Sequence, residues 1–158
     1  MKNQKTIDIE KQNYMMTLKI FRVCATILIA VAIAFLGVVW VSSIKAGKIR
    51  LAINCTIFLV PFAVAMLYAI KISKILKDGE TPFRVEVANF ISKAGYALVY
   101  GGFIGYLCFV YLIKGAENFA LPFFIAHSAN CLIGPILTLI AYAFKYGCKL
   151  QQESDETI

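Results

Sequence analysis

Four stretches of this chain carry no charged residue, and each is long enough to cross a lipid bilayer. Val23 to Ile44 spans 22 residues, Leu51 to Ile70 spans 20, Ala94 to Ile113 spans 20 and Asn118 to Phe144 spans 27. An α-helix rises ~1.5 Å per residue, so about 20 residues match a hydrocarbon layer about 30 Å thick. The strict polar–apolar alternation of a membrane β-barrel is missing. The pattern predicts an all-α integral membrane bundle of four transmembrane helices in a single domain, 1–158, with spans near 23–44, 51–70, 94–113 and 119–144. Composition agrees: 60% of the 158 residues are hydrophobic and 16% are charged, an excess that one soluble core of this size cannot bury. The first stretch does not read as a signal peptide. Its leading segment is long, its apolar run exceeds the usual length, and Val41-Ser42-Ser43 makes a poor cleavage site.

The basic residues orient the spans. Lys2, Lys5, Lys11, Lys19 and Arg22 precede the first stretch, and Lys71, Lys74, Lys77, Arg84 and Lys93 occupy the loop 71–93. With Lys145 and Lys149 of the tail 145–158, twelve Lys and Arg fall on one side, against four (Lys45, Lys48, Arg50 and Lys114) on the other. Cytoplasmic segments carry the excess of Lys and Arg, so both termini are predicted to be cytoplasmic. The net charge of +7 is mostly this bias. It is spread over segments that flank apolar stretches, which disfavours direct nucleic-acid binding. Trp40, Tyr106, Tyr111 and Phe119 fall near one predicted boundary and Tyr68, Tyr96, Tyr142 and Tyr146 near the other, where amphipathic rings suit the headgroup level.

The loop 71–93 is the only sizeable connection. Lys71 to Leu76 is predicted to prolong the second helix, Asp78-Gly79 to stop it, and Thr81-Pro82 to start the next. Val87, Phe90, Ile91 and Ala94 then recur at helical spacing. This segment reads either as the packed end of the bundle with a solvated basic face or as a docking surface for a cytoplasmic partner.

Two patterns lie inside the spans. Ala97, Gly101 and Gly105 repeat every four residues, and small residues at that spacing let helix backbones approach closely. They define a candidate packing face, within the bundle or in a homo-oligomer. His127, Asn130 and Thr138 follow one stripe of the fourth span, together with Cys131 and Gly134. Such groups are costly against lipid and should face protein or a water-filled cavity. They read as interhelical hydrogen-bond glue or as a ligand, proton or ion site. No Asp, Glu, Lys or Arg interrupts a span, which argues against a proton relay or a transporter of charged solutes.

Chemistry is sparse. His127 is the sole histidine, carboxylates are confined to loops and ends, and no phosphate-binding loop or HExxH motif occurs. The five cysteines show no CxxC spacing and read as small packing residues. The sequence therefore predicts no catalytic residue, no metal, no cofactor and no enzyme activity.

Two stretches carry a family likeness. Phe144 to Ile158, with Gly147, Leu150-Gln151, Glu153 and Asp155-Glu156-Thr157-Ile158, resembles the closing motif of the bacterial domain-of-unknown-function 2975 family. Ile75 to Phe83, with Gly79 and Pro82-Phe83, is similar to that family's turn before the third span. The resemblance implies a four-helix, multi-pass protein of the bacterial cytoplasmic (inner) membrane. It also implies a regulatory or adaptor role beside a small cytoplasmic helix-turn-helix transcription regulator. Both stretches fall on the predicted cytoplasmic side, so Pro82, Phe83, Leu150, Gln151, Glu153, Asp155 and Glu156 are the candidate docking residues. The alternative function is a small-solute channel, transporter or transporter accessory subunit using the polar stripe of the fourth helix.

Overall fold

The computed structural model describes the backbone of residues 2–77, 84–112 and 120–156, and the side chains of 11–77, 84–108 and 121–156. Four helices make up nearly all of it: α1 (Lys2–Lys45), α2 (Ile49–Lys77), α3 (Val85–Leu112) and α4 (Ala120–Asp155), with no strand among the described residues. The first two charge-free stretches fall within α1 and α2, and the described parts of the third and fourth fall within α3 and α4. The helices run well beyond those stretches: α1 is 44 residues long and α4 is 36. The segment before the first span and most of the tail 145–158 are therefore helical continuations of the spans. The predicted stop at Asp78-Gly79 and start at Thr81-Pro82 lie outside the described residues.

Three helical segments, Lys11–Lys45, Ile49–Lys77 and Leu121–Asp155, are long and apolar enough to cross a membrane. The expected span in α3 is not among these three. Its described part begins at charged residues and is diluted by Gly95, Gly101, Gly102 and Gly105.

The turn between α1 and α2 is tight for a definable reason. Gly47 takes a φ of 68°, the left-handed conformation that only glycine adopts cheaply. Lys48 N–H then donates to Ser43 C=O at 2.8 Å and Gly47 N–H to Ile44 C=O at 3.2 Å. These two bonds satisfy carbonyls that α1 would leave open, in the Schellman arrangement. Lys48 C=O accepts from Leu51 N–H at 3.0 Å and so opens α2 at once. Trp40 Nε1–H donates to Thr56 Oγ1 at 3.0 Å and pins the two helices beside this turn.

Packing follows chain order. Among the described residues α1 packs on α2 alone, α2 on α3, and α3 most extensively on α4, while α2 and α4 meet only locally. On α1 the less exposed positions run from Met15 through Ala25 and Leu36 to Ser43 at alternating spacings of three and four. That is the seam of a left-handed helix pair. Up-down connectivity gathers the start of α1, the ends of α2 and α4 and the start of α3 at one end, the basic end. The α1–α2 turn lies at the other.

The distribution of side chains inverts that of a water-soluble protein. Leu132 and Leu139 are each 69% exposed, and large apolar groups line the outside of all four helices. Most buried positions among the described residues are small or polar, Ala25, Ser43, Ala52, Asn54, Ser73, Ala88, Ala94, His127, Asn130 and Ala141, with Val87 and Leu98 the larger apolar exceptions. Water would drive the large groups inward. A lipid solvent removes that drive and leaves close packing and internal hydrogen bonds to hold helices together.

Candidate functional site

The site grows from the crossing of α2, α3 and α4. On α3, Gly95 and Gly102 face α4. A Cβ at Gly95 would lie 2.8 Å from Gly134 O, one at Gly134 would lie 2.8 Å from Gly95 O, and one at Gly102 would lie 2.8 Å from Cys131 Sγ. The two backbones are therefore in direct contact, antiparallel, with no room for a methyl group. Gly101 instead faces α2, where the ring of Pro61 fills the space a side chain would need. Gly105 faces α4 again and receives the ring of His127. The expected packing line Ala97, Gly101, Gly105 thus divides between two neighbours. Ala97 is half-buried, and the tightest seam uses Gly95, Gly102 and Gly134.

His127 is wholly buried (0% exposed), and so is Asn54 on α2 at 1%. His127 Nε2 lies 2.8 Å from Asn54 Oδ1. An amide oxygen only accepts, so Nε2 carries a hydrogen and donates it. The ring is held from three directions. Asn54 takes one nitrogen, Gly105 backs the opposite edge, and Phe58 stands edge-on at a centroid distance of 6.2 Å and an interplanar angle of 81°. This bond bridges α2 and α4 where they meet.

The rest of the stripe behaves differently. Asn130 is 3% exposed, and its Nδ2 has no hydrogen-bond partner among the described residues; nor has His127 Nδ1. Thr138 Oγ1 donates to Gly134 C=O at 3.1 Å, back onto its own helix, beside Gly95. The structure thus gives the three stripe residues one interhelical bond, His127 to Asn54. Asn54 escaped the sequence reading. The signal available was a lone amide inside the second charge-free stretch, the same criterion that singles out Asn130.

Two further recesses flank this crossing. An apolar cavity of about 240 Å³ lies between α2, α3 and α4 on the side of the basic end, lined by residues such as Phe62, Ala69, Leu98 and Leu137. At the basic end itself, α2 and α3 flank an open recess of about 450 Å³ lined by Lys71, Lys74, Glu86, Asn89, Phe90 and Lys93.

Of the candidate docking residues, Pro82 and Phe83 lie outside the described residues. Leu150, Glu153, Asp155 and Glu156 are exposed and Gln151 is half-buried, all on or just past the last turns of α4. Lys149 Nζ lies 3.6 Å from Glu153 Oε1, and Gln152 Nε2 donates to Glu156 Oε1 at 3.1 Å. Both contacts join residues four apart, so they stiffen the exposed helix end by a few tenths of a kcal/mol each. All five cysteines are free thiols. Among the described residues no three His, Cys, Asp or Glu side chains converge in a way that could hold a metal ion.

Fold and site together define an all-helical chain with three helices suited to crossing a membrane, drawn together by glycine seams and a buried His–Asn bond. No family model matches the sequence, and neither a curated protein nor a solved structure matches it.

Proposed function

We propose that the chain is a non-enzymatic integral protein of the bacterial cytoplasmic membrane that acts as the membrane half of a regulatory pair. Its four helices cross the bilayer, α3 providing the fourth span, with both termini cytoplasmic. The observation that carries the membrane reading is the inverted surface, with large apolar groups outside and small or polar groups within. The twelve-to-four bias of Lys and Arg supports the orientation. The adaptor reading draws on the family resemblance of residues 75–83 and 144–158 and on the extension of α4 to Asp155. That extension presents Leu150, Glu153 and Asp155 on a rigid helix beyond the apolar stretch. The occupant proposed is a small helix-turn-helix transcription regulator whose basic surface complements these carboxylates.

Topology is tested by single cysteines at Lys48→Cys and Lys77→Cys, in a background lacking accessible native thiols. Position 48 should label from outside intact cells and position 77 only once the cytoplasm is opened. Labelling of position 48 from the cytoplasm alone inverts the orientation. The adaptor role is tested by purifying the tagged chain in mild detergent, with and without residues 150–158. A DNA-binding helix-turn-helix protein should co-purify with the full chain and be lost from the truncated one. Equal retention by both chains removes the tail from the docking surface.

A further inference from the structure

Among the described residues, the recess at the basic end gathers more positive than negative charge. Lys71, Lys74 and Lys93 line it with one carboxylate, Glu86. The ammonium of Lys71 sits 5.6 Å from the centre of the Tyr68 ring and 5.7 Å from that of Phe90, and the ammonium of Lys93 sits 5.8 Å from the same Phe90 ring. Tyr68 and Phe90 stack at 5.8 Å. The aromatic pair bridges α2 and α3, and two cations lie within cation–π range of the Phe90 ring. Each is attracted to the ring quadrupole, yet they repel one another. Among the described residues none of these lysines forms an ion pair. The wall on α3 runs from Glu86 to Lys93. Asn89 contributes an amide donor. Among the described residues, three ammonium groups against one carboxylate leave a formal charge of +2 in a volume of about 450 Å³, which suits a phosphate group.

The level of the recess indicates where that phosphate comes from. Lys71 closes the second charge-free stretch and Lys93 opens the third. Both ammoniums thus lie where apolar helix gives way to polar helix, the level of lipid headgroups. We propose that the recess formed by Lys71, Lys74 and Lys93 against the Tyr68–Phe90 stack binds the phosphate of an anionic membrane lipid. The proposal rests on the membrane reading above but not on the orientation.

Native mass spectrometry of the full chain, released from nanodiscs with equal phosphatidylglycerol and phosphatidylcholine, tests it. The wild-type chain should retain phosphatidylglycerol preferentially. Lys71→Gln/Lys93→Gln should lose about thirtyfold of that preference, at roughly one lysine's worth of attraction per substitution. Lys71→Arg/Lys93→Arg should keep it, which separates loss of charge from loss of fold. Lys145→Gln/Lys149→Gln removes two cations of the same end outside the recess, and the preference should survive. Equal retention of both lipids by the wild-type chain overturns the proposal, as does an equal loss in the Lys145/Lys149 variant, which would mean general surface attraction. Binding of inorganic phosphate to the detergent-solubilised chain without any lipid preference overturns the lipid source. If the chain is instead recovered in the soluble fraction without detergent, the membrane reading itself fails, an outcome distinct from the others.

Discussion

Gly101→Ala should destabilise the folded chain by about 1–3 kcal/mol, the usual cost of forcing extra volume into a packed interior. The added methyl group would meet the ring of Pro61, which cannot rotate away as a flexible side chain would. Helices in lipid are held by contact rather than by burial from water, so a seam opened by one methyl group loses much of its attraction. Thermal unfolding in detergent measures the effect. Two comparisons make it specific. Gly37→Ala places a methyl group on α1 with nothing within 4 Å, and should be neutral or stabilising by up to ~1 kcal/mol. Pro61→Ala combined with Gly101→Ala removes the clashing ring and should recover part of the loss, because residues in contact are not additive. Full additivity of the pair would place the Gly101 effect elsewhere than at Pro61.

The second large effect is expected at the buried bond. Asn54→Leu leaves His127 Nε2–H without an acceptor in a fully buried position, at a cost of about 1–3 kcal/mol. His127→Phe combined with Asn54→Leu removes both polar partners, and the pair should cost less than the sum of the single changes. The coupling should fall near 0.6–2 kcal/mol, the range of interhelical hydrogen bonds in membranes. Detergent unfolding of the two single variants and the double variant completes the cycle. The same residues separate the adaptor reading from the channel or transporter reading. His127→Ala should lower stability and leave reconstituted vesicles without solute flux, like those of the wild type. A change in flux at unchanged stability would move the function to the polar stripe.

The charges made the helices legible. Lys45 closes α1 one residue past the first charge-free stretch, while α2 runs on from the second through Lys71 and Lys74 to Lys77. Charges are expensive in a bilayer, so their gaps mark helices sharply. Which face of each helix meets which neighbour was far less legible. Inside a charge-free stretch there is no contrast of polarity, and packing is decided by side-chain size. Ala97, Gly101 and Gly105 look like one face at a spacing of four. An α-helix turns about 3.6 residues per cycle, so each step of four rotates about 40° and the line drifts from α2 to α4. Gly95, Leu98, Gly102 and Gly105 alternate spacings of three and four, and all four are buried. Asn54 was missed because it lies only four residues into its stretch, where an amide at headgroup level reads equally well. His127 and Asn130 stood out because they lie deep within a much longer one.

The chain-order packing bears on how the molecule is made. On a chain made from its N-terminus, each helix finds its main partner already made: α2 meets α1, α3 meets α2, and α4 meets α3. No early helix must wait with a glycine seam exposed for a distant segment to arrive. The one tie that skips a neighbour, Asn54 to His127, closes only after α4 has been synthesised. Until then the amide of Asn54 has no histidine to accept from. The buried bond is thus a tie that only the complete set of helices can make.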